Sequence, residues 1–114
     1  MNIQIIGTKK CSDTKKAMRF FKERNVSYHF LDLGEKPLSR GELIKIAQKL
    51  GGDNLIDTQS KAYKDKGLAW MDYDAVEEVM ENNLLLKTPV VRNGNEVTAG
   101  IDQKTWTLWI KEGK

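Results

Sequence analysis

The residues Cys11-Ser12-Asp13-Thr14 place the only cysteine of the chain beside two hydroxyl side chains. A thiol attacks as its thiolate. At a helix N-terminus the dipole and free N–H groups stabilise that anion, bringing the pKa from about 8.5 to between about 3.5 and 7.5. Thr14 stands where the second cysteine of a C-x-x-C pair would be, and its hydroxyl can reach back one helical turn to donate to a thiolate. Ser12 and Thr14 fit ordinary helix capping equally well. Lys9, Lys10, Lys15 and Lys16 add positive charge around the sulfur, with Lys10 next to it in sequence, and Asp13 opposes them weakly. Cysteine is also among the most buried residue types, and unpaired cysteines are mostly inert. Position, rather than residue type, nominates Cys11.

That position requires a strand that turns into a helix at Cys11. Residues 2–6 are a short apolar run closed by Gly7 and read as a buried strand. Residues 12–24 have helical periodicity, with Thr14, Ala17, Met18 and Phe21 on one face and Lys15, Arg19 and Lys22 on another. Ser12 is the expected N-cap. Residues 27–33 alternate as a second strand, parallel to the first through a right-handed crossover. Ser39 and Glu42 form a capping box ahead of a helix with Leu43, Ile46, Ala47 and Leu50 inward, stopped at Gly51-Gly52. Short helices follow at 59–66 and from about Asp74.

Residues 88–92 and 96–99 flank Asn93-Gly94, which predicts a type I′ hairpin, and Asp102 caps a last helix with Trp106, Trp109 and Ile110 inward. A β-α-β unit, several helices and a β-β-α unit resemble the thioredoxin/glutaredoxin plan: α/β, a four-stranded mixed sheet with an inserted helical region. In such a plan a cis peptide before Pro89 sets the Thr88 backbone beside the cysteine. A proline opening a strand is otherwise ordinary. His29 falls near the start of its strand, so it reads as structural rather than as a base for Cys11. Trp70, Trp106 and Trp109 read as core or rim residues.

The 114 residues suit one domain, with 1–35 and 84–114 as core halves and 36–83 as the insert. At 39% hydrophobic and 31% charged the composition is that of a soluble globule. No apolar run nears the roughly 20 residues of a membrane span, and the N-terminus does not read as a leader, so a cytoplasmic protein without membrane association is expected. One cysteine excludes an internal disulfide. Cys11 and His29 supply at most two of the four ligands of a structural zinc site, so no metal is expected. The net charge of +3 is too small to name a nucleic-acid partner. It is uneven, however: residues 9–24 hold seven Lys/Arg against Asp13 and Glu23.

Five segments carry a family resemblance: Gly7-Thr8-Lys9-Lys10-Cys11-Ser12-Asp13-Thr14, Phe30-Leu31-Asp32-Leu33, Pro37-Leu38-Ser39-Arg40, Ser60-Lys61-Ala62-Tyr63-Lys64 and Lys87-Thr88-Pro89-Val90-Val91. In this order and spacing, over nearly the whole chain, they resemble the glutaredoxin-coupled arsenate reductases of thioredoxin fold. Reductase-like relatives and the Spx-type RNA polymerase-binding regulators share the pattern. The resemblance implies a nucleophilic cysteine at Cys11; the residues around it nominate Ser12, Thr14 and Lys10 to stabilise its thiolate and Thr88, Pro89 and Arg92 to face substrate. No bound cofactor is implied; glutathione, or a glutaredoxin- or thioredoxin-like protein, supplies the second thiol.

The oxyanion-binding arginines of arsenate reductases do not carry over. Asp57, Thr58 and Gln59 precede the Ala62-Tyr63 segment, Thr88 precedes the late proline, and residues 97–100 contain no arginine. Threonine or glutamine replaces neither the charge nor the bidentate fork, so efficient arsenate reduction is not expected. Two roles follow: a monothiol oxidoreductase, or a binding protein of the same fold with RNA polymerase as partner. The regulators commonly sense oxidation with two cysteines, and this chain has one.

Overall fold

The computed structural model describes residues 1–113. The strands are β1 (Ile3–Gly7), β2 (Tyr28–Asp32), β3 (Val90–Asn93) and β4 (Glu96–Ala99). The helices are α1 (Ser12–Glu23), α2 (Arg40–Leu50), α3 (Lys61–Lys66), α4 (Ala75–Glu81) and α5 (Gln103–Glu112). The chain divides into two compact units, Met1–Lys36 with Thr88–Lys114 and Pro37–Lys87.

The first unit holds the whole sheet, in the order β2-β1-β3-β4. The crossover through α1 leaves β1 and β2 parallel, with Ile3 opposite Tyr28 and Gly7 opposite Asp32. β3 runs antiparallel to β1, with Ile6 opposite Val90, and β4 antiparallel to β3. This mixed sheet with its helices is the thioredoxin/glutaredoxin-like arrangement that the element order predicts. Central β1 is apolar on both faces, and Ile3, Ile5 and Ile6 are all buried. On one face Ile3, Ile5 and Val91 pack with Ala17, Phe20 and Phe21 of α1 and with Trp106 and Trp109 of α5. Phe20, Phe21 and Trp106 form an aromatic triangle with centroids 5.2, 5.3 and 5.5 Å apart. The Trp106 indole donates to Thr98 Oγ1 at 2.9 Å, so its one polar atom is satisfied in the interior.

In the second unit, Leu43, Ile46, Leu55, Ile56, Leu68, Val79, Leu85 and Leu86 are buried. Ser39 caps α2 with a reciprocal capping box to Glu42, Ser60 caps α3, and Asp74 caps α4. An antiparallel bridge between Ile56 and Leu86 ties the loops together. Arg40 pairs with Glu77, and Lys66 with Glu78 and Glu81, so three acidic residues of α4 have basic partners.

Three expectations need correction. Ser12 is the first helical residue and Cys11 itself is the N-cap of α1, without a side-chain capping bond. The hairpin turns at Gly94-Asn95, because Asn93 pairs with Glu96 across the ladder. Gly94 has φ +60° while Asn95 is not left-handed, which is the type II′ pattern rather than I′. Trp70 is neither core nor rim. It ends a short 3₁₀ turn, Leu68–Trp70, and is 92% exposed. Strand and helix ends otherwise fall within one or two residues of expectation. The 3₁₀ turns at Gly52–Asn54, Leu68–Trp70 and Asn83–Leu85 are additions.

Candidate active site

β1 ends at Gly7, and after four intervening residues the chain is helical from Ser12. The Cys11 N–H donates to Thr8 O at 3.2 Å, closing the turn, and Cys11 O accepts from Lys15 N–H at 3.1 Å, opening α1. Cys11 is thus held at the mouth of the helix by its own backbone. Lys9 lies 3.8 Å from the largely covered Asp32 and 3.5 Å from the exposed Glu35, two ion pairs that link this loop to the end of β2 and the turn after it.

The Cys11 side chain is half-buried. Its Sγ is 3.2 Å from Thr88 Oγ1 and 4.0 Å from Thr88 O. Thr88 precedes Pro89 across a cis peptide bond, one residue before β3 starts. Residues 77 positions apart in sequence therefore meet at one sulfur. In the thiol form either group can donate across the 3.2 Å contact; once the sulfur is ionised only the Thr88 hydroxyl can.

Burial pushes the Cys11 pKa up, and hydrogen bonding more than reverses it. The Thr14 and Thr88 hydroxyls and the backbone N–H groups of Thr14 and Asp13 favour the anion, so the thiol sits below its ordinary value. The surrounding lysines are not among those causes. Lys9 is engaged with Asp32 and Glu35, and Lys16 lies 3.9 Å from Asp13. Lys10 is exposed in the loop, and Ser12 is exposed in the first turn of α1. Thr14 is fully buried.

Cys11, Thr14 and Thr88 are therefore brought together, with Pro89 beside them in the chain. The Arg92 backbone does not stand opposite the Cys11 turn, and its Nε is buried without a hydrogen-bond partner among the described residues. Arg92 is the third residue of β3, opposite Gln4 and Val97, two residues beyond the Ile6–Val90 pair near the Cys11 end of the sheet. That is about 7 Å farther along the strand. His29 is the exposed second residue of β2. Among the described residues no three His, Cys, Asp or Glu side chains are grouped to hold a metal ion. No helix among them is long and apolar enough to cross a membrane. Two contributors escape a sequence reading. The Thr88 hydroxyl is visible only as a threonine before a strand-opening proline, and the Asp13 N–H has no side-chain signal at all.

The family model for the ArsC family matches residues 6–108. A relative from Oceanobacillus iheyensis, named global transcriptional regulator Spx 2, is 30% identical over 105 residues, covering 88% of this chain and 77% of that one. A solved ArsC family related protein from Bacteroides fragilis superposes with a TM-score of 0.83 at 21% identity, covering 95% of this chain and 97% of the other. A glutaredoxin from Archaeoglobus fulgidus superposes with a TM-score of 0.50 at 13% identity, over 96% of this chain and 85% of its own. With a match running from the end of β1 into α5, the chain belongs to the ArsC family.

Proposed function

We propose that this protein is a monothiol oxidoreductase in which Cys11 attacks and an external thiol resolves the intermediate. The observation that carries the reading is the half-buried Cys11 sulfur at the start of α1, 3.2 Å from the Thr88 hydroxyl, with the first-turn N–H groups lowering its pKa. In the first step the Cys11 thiolate attacks one sulfur of a substrate disulfide. A Cys11 mixed disulfide forms while the other substrate sulfur leaves as a thiolate. In the second step glutathione, or the thiol of a glutaredoxin- or thioredoxin-like protein, attacks the mixed disulfide. That thiol and the substrate sulfur end as a disulfide, and Cys11 is released as the thiolate. The chain cannot resolve the intermediate itself, having no second cysteine. A reducing cytoplasm supplies the thiol pool that the second step needs.

Arsenate is a poor candidate substrate. The side chain in contact with the Cys11 sulfur is Thr88, which brings a hydroxyl without charge. The test of the proposal is mass spectrometry after incubation with oxidised glutathione. The expected result is one glutathione adduct on Cys11, removed by reduced glutathione and absent in Cys11→Ser. A protein that stays unmodified at neutral pH would exclude the reading.

The 30% identity to a protein named as a transcriptional regulator favours a second reading, a binding protein that shares the fold. RNA polymerase would then be the partner. Co-purification with RNA polymerase by wild type and Cys11→Ser alike would support that reading over the first.

A further inference from the structure

The Thr14 side chain is fully buried, and its Oγ1 has no hydrogen bond of normal geometry among the described residues. Folded proteins seldom leave a buried hydroxyl unpaired, so an open one beside an ionisable sulfur calls for a functional account. Its neighbour on the sulfur side is Cys11, whose anion it favours. Its neighbour on the other side is Gly7. A Cβ on Gly7 would lie 2.2 Å from Thr14 Oγ1, 2.7 Å from Thr14 Cγ2 and 3.0 Å from Thr14 Cβ, and these are the three nearest atoms. Thr14 therefore fills the side-chain space of residue 7. Gly7 is outside the left-handed region, so room, not torsion, requires the glycine here. Its backbone cannot retreat, because Gly7 O accepts from Leu33 N–H at 2.8 Å and Gly7 pairs with Asp32 in the parallel ladder.

Resting on the reading of Cys11 as a nucleophile, we propose that Gly7 is a positioning residue whose missing side chain lets Thr14 hold its hydroxyl ready for the charged sulfur. With the thiol protonated the hydroxyl waits unpaired. When the proton leaves, the hydroxyl donates to the anion, and when Cys11 enters a mixed disulfide that bond is given up again. Thr14 also supplies one of the first-turn N–H groups that favour the thiolate, so a displaced Thr14 weakens two donors together.

The test is a pH titration of the single thiolate, by ultraviolet absorbance and by alkylation rate, in wild type, Gly7→Ala, Thr14→Ala and Gly7→Ala/Thr14→Ala. Thr14→Ala is expected to raise the midpoint by about one unit, a tenfold loss of thiolate at a fixed pH below both midpoints. Gly7→Ala is expected to raise it similarly. In the Thr14→Ala background the same Gly7→Ala change is expected to add clearly less, since the hydroxyl and the two closest contacts are gone and only the Cβ contact at 3.0 Å remains. Equal Gly7→Ala shifts in both backgrounds, or a wild-type midpoint in Gly7→Ala, would overturn the proposal. Should Gly7→Ala alone fail to fold, a folded double variant with the Thr14→Ala midpoint supports it, and a double variant that also fails to fold overturns it. A wild type that titrates as an ordinary thiol overturns both this inference and the nucleophile reading. A lowered wild type with unmoved variants overturns this inference alone.

Discussion

At Cys11 a half-buried sulfur would ordinarily ionise late, and here hydrogen-bond donors reverse that tendency. Thr88→Val removes one donor while keeping the shape. A hydrogen bond to a charged group is worth about 1.5–3 kcal/mol, and solvent reaching the sulfur reduces that, so the Cys11 midpoint should rise by about half to one pH unit. An alkylation profile unchanged in Thr88→Val would show that the 3.2 Å contact does not act on the anion. The lowered pKa also ties Cys11 to stability. The folded state sheds the proton at a lower pH than the unfolded state, so the thiolate's contribution is complete above about pH 8.5 and disappears as pH falls through the lowered midpoint. Denaturant titrations of wild type and Cys11→Ser should therefore diverge as pH rises through that window and run in parallel below it. Cys11 and Thr14 are readable in sequence because helix-start chemistry is local. The Thr88 hydroxyl is not, because its place depends on a contact across 77 positions.

Among the elements, β1 and α1 set the site, and the aromatic triangle holds α1 on the sheet. Trp106 is fully buried, touches Phe20 and Phe21, and satisfies its N–H on Thr98. Trp106→Ala should cost about 3–5 kcal/mol, read as a fall in the chemical denaturation midpoint. A cost below about 1 kcal/mol would mean that the first unit does not depend on this packing. Periodicity makes β1, α1 and α5 legible, and the Ser39–Glu42 and Asp102 caps announce their helices. The hairpin is legible as a turn but not in type. Asn93 keeps its ladder pairing with Glu96, which moves the turn one residue on. Trp70 is illegible for a different reason. A large apolar residue carries a strong expectation of burial, and only the placement of a three-residue 3₁₀ turn sends it outward.

The whole molecule is an ArsC-family thioredoxin-like fold whose sulfur is accompanied by hydroxyls. The family would predict arsenate chemistry, and the residues argue against it: a tetrahedral oxyanion needs charged, forked donors, and Thr88 offers one neutral one. Arsenate turnover with glutathione and glutaredoxin should match the Cys11→Ser background, and robust turnover by wild type would refute that expectation. The order of elements is legible at this scale because the motifs follow one another along the chain. The element order places the division at 35–36 and 83–84, and the compact units divide at 36–37 and 87–88, because the segment 84–87 packs with the helical unit rather than with the sheet. The rate of Cys11 alkylation as a function of pH reports its thiolate directly, in a chain where no other thiol competes. A nucleophilic Cys11 gives a midpoint clearly below the roughly 8.5 of a free thiol, and a midpoint at or above that value would contradict the role assigned to it.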